Sequence, residues 1–169
     1  YKRQPYNKRR QSCERAAAAI AGNHPEVKLL GDATLEMLEE VKDKISEEDY
    51  MRATYAIQEN SRLADTCEAL KRGDYETVGK NIYATHHGMS KLYEVSTEEL
   101  DFLNDVAKEC GVTGSRIMGG GFGGCTINLV KDAYYDRFIE TAISRFKTKF
   151  GKEPKVYPVT ISDGARKLN

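Results

Sequence analysis

The sequence predicts an α+β domain, and three observations carry that prediction. Through the first 110 residues, apolar side chains recur at helical spacing between cap and stop signals. A β-branched stretch with strand alternation then follows a run of glycines around Phe122. Another helical pattern separates that stretch from a final apolar segment containing Pro158. At 169 residues the chain suits one domain spanning 1–169, burying roughly two-thirds of its unfolded surface.

Taken in order, residues 6–21 place Cys13, Ala16, Ala17 and Ile20 on one helical stripe, with Gly22 as the stop. Asn23-His24-Pro25 makes a turn. A short helix is predicted near 33–42, capped by Asp32, with Leu35, Leu38 and Val41 facing inward. Ser46-Glu47-Glu48-Asp49 reads as a capping box opening a helix to about Arg72. Its predicted buried stripe is Met51, Tyr55, Leu63, Cys67 and Leu70. Gly73 ends it, and Asp74 caps a helix carrying Val78, Ile82 and Met89.

Ser96-Thr97-Glu98-Glu99 is a second capping box, before Leu100, Leu103, Val106, Ala107 and Cys110, with Gly111 as the stop. A hairpin follows, in which Cys125, Ile127 and Leu129 alternate with Thr126 and Asn128. Tyr135, Phe138, Ile139, Ala142, Ile143, Phe146 and Phe150 mark a long helix stopped by Gly151, and 155–162 reads as a last strand at an edge or bulge. Helix, strand, strand, helix, strand is a ferredoxin-like β-α-β-β-α-β unit short of one strand. Either that strand precedes Tyr1 or one segment departs from its pattern. The helices between 32 and 89 are read as additional inserted helices on one side of the unit.

Charge and cysteines exclude several classes. Lys plus Arg and Asp plus Glu number 26 each, so no net field draws nucleic acid or a membrane surface. The basic cluster of Lys2, Arg3, Lys8, Arg9 and Arg10 reads as a solvated helix start. Cys13, Cys67, Cys110 and Cys125 form no C-x-x-C pair, which argues against a zinc site or disulfide framework and for reduced thiols in the cytoplasm. No apolar run approaches the roughly 20 residues of a membrane span. The chain opens at Tyr1 without an initiator Met and reads as a fragment. His86 and His87 project about 100° apart on a helix, which suits structure better than metal chelation. Arg116, inside a strand, is a candidate for a phosphate or a carboxylate.

Gly119, Gly120, Gly121, Gly123 and Gly124 make five of the six residues from 119 to 124 glycine. Such a run is entropically costly unless the backbone takes positive φ or something approaches it closely. A simple hairpin turn needs fewer glycines. The functional reading is a nest of backbone N–H groups facing an anion, or a buttress for another such loop. Gly119, Gly121 and Gly124 satisfy G-x-G-x-x-G, but a strand follows where a dinucleotide fingerprint has a helix. Gly79-Lys80-Asn81 is no phosphate-binding P-loop.

From Gly114 to Thr126 the sequence G-S-R-I-M-G-G-G-F-G-G-C-T resembles the third motif of the galactokinases, in the GHMP small-molecule kinase superfamily. The likeness continues in order along the chain. Tyr6-Asn7-Lys8-Arg9-Arg10-Gln11-Ser12-Cys13-Glu14 is similar to the family's Y-N-x-R-R-x-x-C-E run, and Gly73-Asp74-Tyr75 to its G-D-Y step. Thr85-His86-His87 with Tyr93-Glu94-Val95-Ser96 resembles S-H-x-S-L-x-x-D-Y-E-V-S, and Asp163-Gly164-Ala165 the terminal D-G-A. The chain departs from the family pattern at Met118 for Thr, at Gly88, Lys91 and Leu92 for Ser and the paired acids, and at Tyr55 for the His of many relatives.

The resemblance implies a GHMP kinase C-terminal domain whose full-length enzyme moves the ATP γ-phosphoryl group to the C1 hydroxyl of galactose. It implies ATP and Mg²⁺, galactose, and a preceding N-terminal domain as partners. The family's catalytic Asp, its S-S-S-A phosphate loop and its R-x-x-L-x-G-E-H segment lie upstream and do not occur here. The fragment alone is therefore expected to be inactive, with no catalytic residue of its own. By position, Tyr6 resembles the tyrosine that reaches the sugar. Gly119, Gly120, Gly121, Phe122, Gly123 and Gly124 resemble the loop that supports the phosphates. The alternatives are a related amino-sugar kinase and a non-catalytic sugar and ATP sensor.

Overall fold

Helix α1 (Arg3–Ala21) follows the predicted stripe, with Ala16 and Ile20 fully buried. The computed structural model describes residues 3–160 together with Ser162, Gly164 and Lys167. The short helix α2 (Leu35–Glu39) is capped by Thr34, which accepts from the Met37 N–H, rather than by Asp32. Asp32 instead ends the 3₁₀ turn Leu30–Asp32 and accepts the Lys28 and Leu29 amides at 3.1 and 2.9 Å. Leu38 and Val41 are buried as expected, but Leu35 is exposed.

Ser46 does cap α3 (Glu47–Lys71), accepting from the Asp49 N–H. The predicted stripe holds only in part. Tyr55 is buried, whereas Leu63, Cys67 and Leu70 are exposed and Ala53, Ile57 and Ala69 face inward instead. The bundle of α1, α2 and α3 covers the first half of α3, around Ala53 and Ile57. Gly73 and the Asp74 cap then turn the chain into α4 (Tyr75–Lys91).

The cap of α5 (Glu98–Glu109) is Thr97, which accepts from the Leu100 N–H; Ser96 donates to Asp101 instead. Strands β1 (Gly114–Ile117) and β2 (Thr126–Leu129) form an antiparallel hairpin with Ser115 opposite Asn128 and Arg116 opposite Ile127. Only β1 is well buried, and Ile127 on β2 is exposed, contrary to the expected inward alternation. Helix α4 lies against β1 so closely that a Cβ on Gly79 would sit 2.0 Å from the Thr113 carbonyl oxygen. Helix α6 (Asp132–Phe150) buries Phe138, Ala142 and Phe146 against α5 and ends at a left-handed Gly151.

The α+β class holds, with the sheet smaller than predicted. Over residues 155–160 the expected last strand does not form, and every side chain there is exposed. A strand is stabilised by a neighbour's edge, and no described strand lies beside this segment; Pro158 also removes one ladder donor. Ile161, Asp163 and Ala165 lie outside the described residues, so the end of that strand and the D-G-A match do too. Three apolar clusters result: α1 with α2 and α3; Tyr55, Met89, Val95, Leu100 and Ile117; and α5 with α6. Among the described residues no helix is long and apolar enough to cross a membrane.

Candidate functional site

The glycine run is the turn of the β1–β2 hairpin, closed by the Met118 N–H donating to Cys125 at 2.9 Å. Gly119, Gly121, Gly123 and Gly124 all hold positive φ, between 78° and 110°, which accounts for the glycine content. Phe122 shares that conformation at φ 58° without being glycine. Its ring meets the Tyr6 ring edge-on with centroids 5.2 Å apart, and the Arg9 guanidinium lies 5.3 Å from its centroid. Its N–H donates to the Val95 carbonyl at 2.6 Å.

Two glycines are also needed because something presses on them. A Cβ on Gly120 would lie 2.6 Å from the Tyr6 hydroxyl, and one on Gly121 would lie 2.2 Å from the Val95 carbonyl oxygen. The sequence-predicted site residues thus meet: Tyr6 from the first turns of α1 touches Gly120, Gly121 and Phe122 of the loop. The Tyr6 hydroxyl donates to the Gly121 carbonyl at 3.5 Å, the outer limit of a hydrogen bond. Gly123 and Gly124 stand clear, with nothing within 4 Å of where a Cβ would be.

Beside the loop lies a cleft of about 470 Å³ lined by Tyr6, Asn7, Arg9, Tyr55, Tyr93 and Gly120 among others. Tyr6 and Arg9 reach it from one face of α1 because they are spaced three residues apart. Arg9 donates to the Tyr93 carbonyl at 2.9 Å and to the Glu94 carbonyl at 2.6 Å. Burial pushes the Tyr93 hydroxyl up to about 12 and also raises the Tyr55 hydroxyl and the Cys13 thiol. No carboxylate lines the cleft among the described residues. Its chemistry is therefore hydrogen bonding and shape, with no general base of its own.

The other candidate residues fall to structural roles. His86 is buried and bonded to Asp101 at 3.1 Å, a carboxylate supplied by α5 that helical spacing could not reveal. Burial lowers its pKa against the opposing pull of Asp101. His87 points outward on the exposed face. Arg116 donates to the Ile117 carbonyl at 3.1 Å and has no carboxylate partner among the described residues. No group of three or more His, Cys, Asp or Glu side chains converges as a metal site would among the described residues.

Two departures from the family pattern turn out to be one contact. A Cβ on Gly88 would lie 2.4 Å from the Tyr55 ring, so the tyrosine occupies the space a side chain at 88 would need. Sequence reasoning missed the parts played by Arg9, Glu94 and Val95. The spacing of Arg9 from Tyr6 could have placed it on the same face. Nothing in the sequence marks Glu94 as a residue with φ 53°.

Comparison with known proteins bears on this geometry. Residues 67–148 match the family model described as GHMP kinases C terminal. The galactokinase of Fusobacterium nucleatum is 41% identical over 165 residues, which is 96% of this chain and 42% of that protein. That of Clostridium beijerinckii is 42% identical over the same shares of each chain. The crystal structure of Lactococcus lactis galactokinase complexed with galactose matches with a TM-score of 0.81 and 29% identity, over 89% of this chain and 39% of that one. The chain spans less than half the length of the relatives it matches.

Proposed function

We propose, on the match of residues 67–148 to the family model described as GHMP kinases C terminal, that the chain forms the C-terminal domain of a galactokinase. Such an enzyme transfers the ATP γ-phosphoryl group to the C1 hydroxyl of galactose. The observation that carries the reading is the contact of Tyr6 with Gly120, Gly121 and Phe122. Phosphoryl transfer is mostly positioning and charge neutralisation, with reacting atoms roughly 3–3.5 Å apart. A sugar held at Tyr6 lies directly beside a loop that steadies phosphates.

This chain's part in the reaction is to bind and orient. Tyr6 is half exposed, and the 3.5 Å bond from its hydroxyl to Gly121 is weak enough to be exchanged for a sugar hydroxyl. The glycine loop, clamped by Val95 and by the Tyr6 and Arg9 side chains, forms a fixed wall for the phosphate side. The described residues bring no group of three or more His, Cys, Asp or Glu side chains together, so they build no all-protein cage for Mg²⁺. The catalytic Asp and the principal phosphate loop, which holds ATP, belong to the N-terminal domain of the proposed enzyme.

The test is a coupled assay of the gene product extended upstream to its initiator codon, run against a panel of hexoses and amino sugars. ADP release that depends on galactose is expected. Preference for an amino sugar points to the related kinase, and binding of sugar and ATP without turnover points to a sensor. The 169-residue chain alone is expected to show no turnover above a no-protein control.

A further inference from the structure

Among the described residues only Glu94 and Phe122 hold positive φ without being glycine, at 53° and 58°. The two are joined through the backbone. Val95, which follows Glu94, accepts the Phe122 N–H at 2.6 Å. The same carbonyl presses on the space above Gly121. Arg9 touches both ends of this link, donating to the Glu94 carbonyl at 2.6 Å while its guanidinium faces the Phe122 ring.

Glutamate has no intrinsic preference for the left-handed region, which Gly and Asn enter far more readily. Something must therefore hold Glu94 there, and its side chain shows what does. The Glu94 carboxylate accepts from Arg52 at 2.9 Å and lies 3.7 Å from Arg9. Arg52 is only 2% exposed and is fixed in turn by donating to Ser12 at 3.0 Å and by pairing with Glu48. Both ends of the residue are gripped: the carboxylate from α3 and the carbonyl from α1.

We propose that Glu94 is a positioning residue for the glycine loop. Its carboxylate, held by Arg52, keeps the backbone left-handed, which aims the Val95 carbonyl at the Phe122 N–H and fixes the loop against Tyr6. The catalytic consequence rests on the galactokinase reading above, whereas the geometric one does not.

The geometric part is tested on this 169-residue chain by amide exchange at Phe122, with the Val106 amide of α5 as internal reference. Glu94→Ala removes the carboxylate and keeps a side chain that disfavours positive φ. Glu94→Gly removes the carboxylate but accepts the backbone conformation. In Glu94→Gln the amide oxygen still accepts from Arg52. Phe122 exchange is expected to quicken about tenfold in the Ala variant, less in Gly and least in Gln, with Val106 unchanged, as for loss of one anchoring bond. Unchanged Phe122 exchange, or equal acceleration at Val106, overturns the proposal.

In the upstream-extended product, Glu94→Ala is expected to raise KM for ATP about tenfold with little change in KM for galactose. An active wild type whose Ala variant keeps KM for ATP and kcat overturns the positioning role. A responsive Phe122 amide in a product without phosphoryl transfer supports the geometry and overturns the galactokinase reading instead.

Discussion

Gly121 and Gly111 both hold positive φ, yet their surroundings differ. A Cβ on Gly121 meets the Val95 carbonyl at 2.2 Å, while one on Gly111 meets nothing within 4 Å. Gly121→Val adds strain on the order of 1–3 kcal/mol to that clash, so its melting temperature falls well below that of Gly111→Ala. Equal melting temperatures for the two variants would remove the tight-loop account. Tyr6→Phe tests the other side of the contact. The ring keeps its packing on Phe122, so stability stays put while KM for galactose in the extended product rises roughly five- to a hundredfold, for a lost bond of about 1–3 kcal/mol. An unchanged KM for galactose moves Tyr6 from site to scaffold. At this scale the sequence was informative where chemistry leaves a trace. Five glycines announce an unusual backbone, but Phe122 and Glu94 adopt the same backbone through tertiary contacts that leave no compositional mark.

Helix ends were legible because a cap is a local bond between residues three apart. Ser46 and Asp74 cap as read, and Thr34 and Thr97 displace the predicted caps Asp32 and Ser96 by one or two positions. Thr97→Ala is expected to cost about 1 kcal/mol in urea unfolding, since it orphans the Leu100 N–H. A cost indistinguishable from zero would show that the end of α5 is held by packing alone. The stripe on α3 and the last strand depart from the sequence pattern for a shared reason. Periodicity says which face of an element is apolar, and only the fold says whether anything covers it. Leu63 and Leu70 on α3, and Tyr157 and Val159 in the final segment, remain more than half exposed among the described residues.

Across the molecule, charged side chains tie the helical layers together. Asp49 of α3 is almost fully buried and takes two bonds from Arg15 of α1, at 2.7 and 2.6 Å. The Arg15 bond holds its pKa at about 2, below the ordinary 3.8. A carboxylate depressed in the folded state adds stability that is complete above its unfolded pKa and is lost as pH falls toward the folded value. The Asp49 contribution is thus present above roughly pH 4 and disappears between pH 4 and 2, with a size of about 1 kcal/mol once solvent at the half-exposed Arg15 is allowed for. Melting curves of wild type and Asp49→Asn should converge over that interval and stay apart above it. Parallel curves from pH 2 to 7 would assign the stability to packing.

The contact between Gly88 and Tyr55 couples two positions that lie far apart in the sequence. The galactokinase pattern that the chain resembles carries Ser at 88 and, in many relatives, His at 55. Because a Cβ at 88 would stand 2.4 Å from the Tyr55 ring, Gly88→Ser by itself should overpack this region by about 1–3 kcal/mol. Combined with Tyr55→His, the same change should recover at least about 1 kcal/mol, a coupling that a double-mutant cycle measures and simple additivity would refute. The bare backbone at 88 is thus the other half of the Tyr55 site: a side chain at one position is tolerated only as far as the ring at the other gives way.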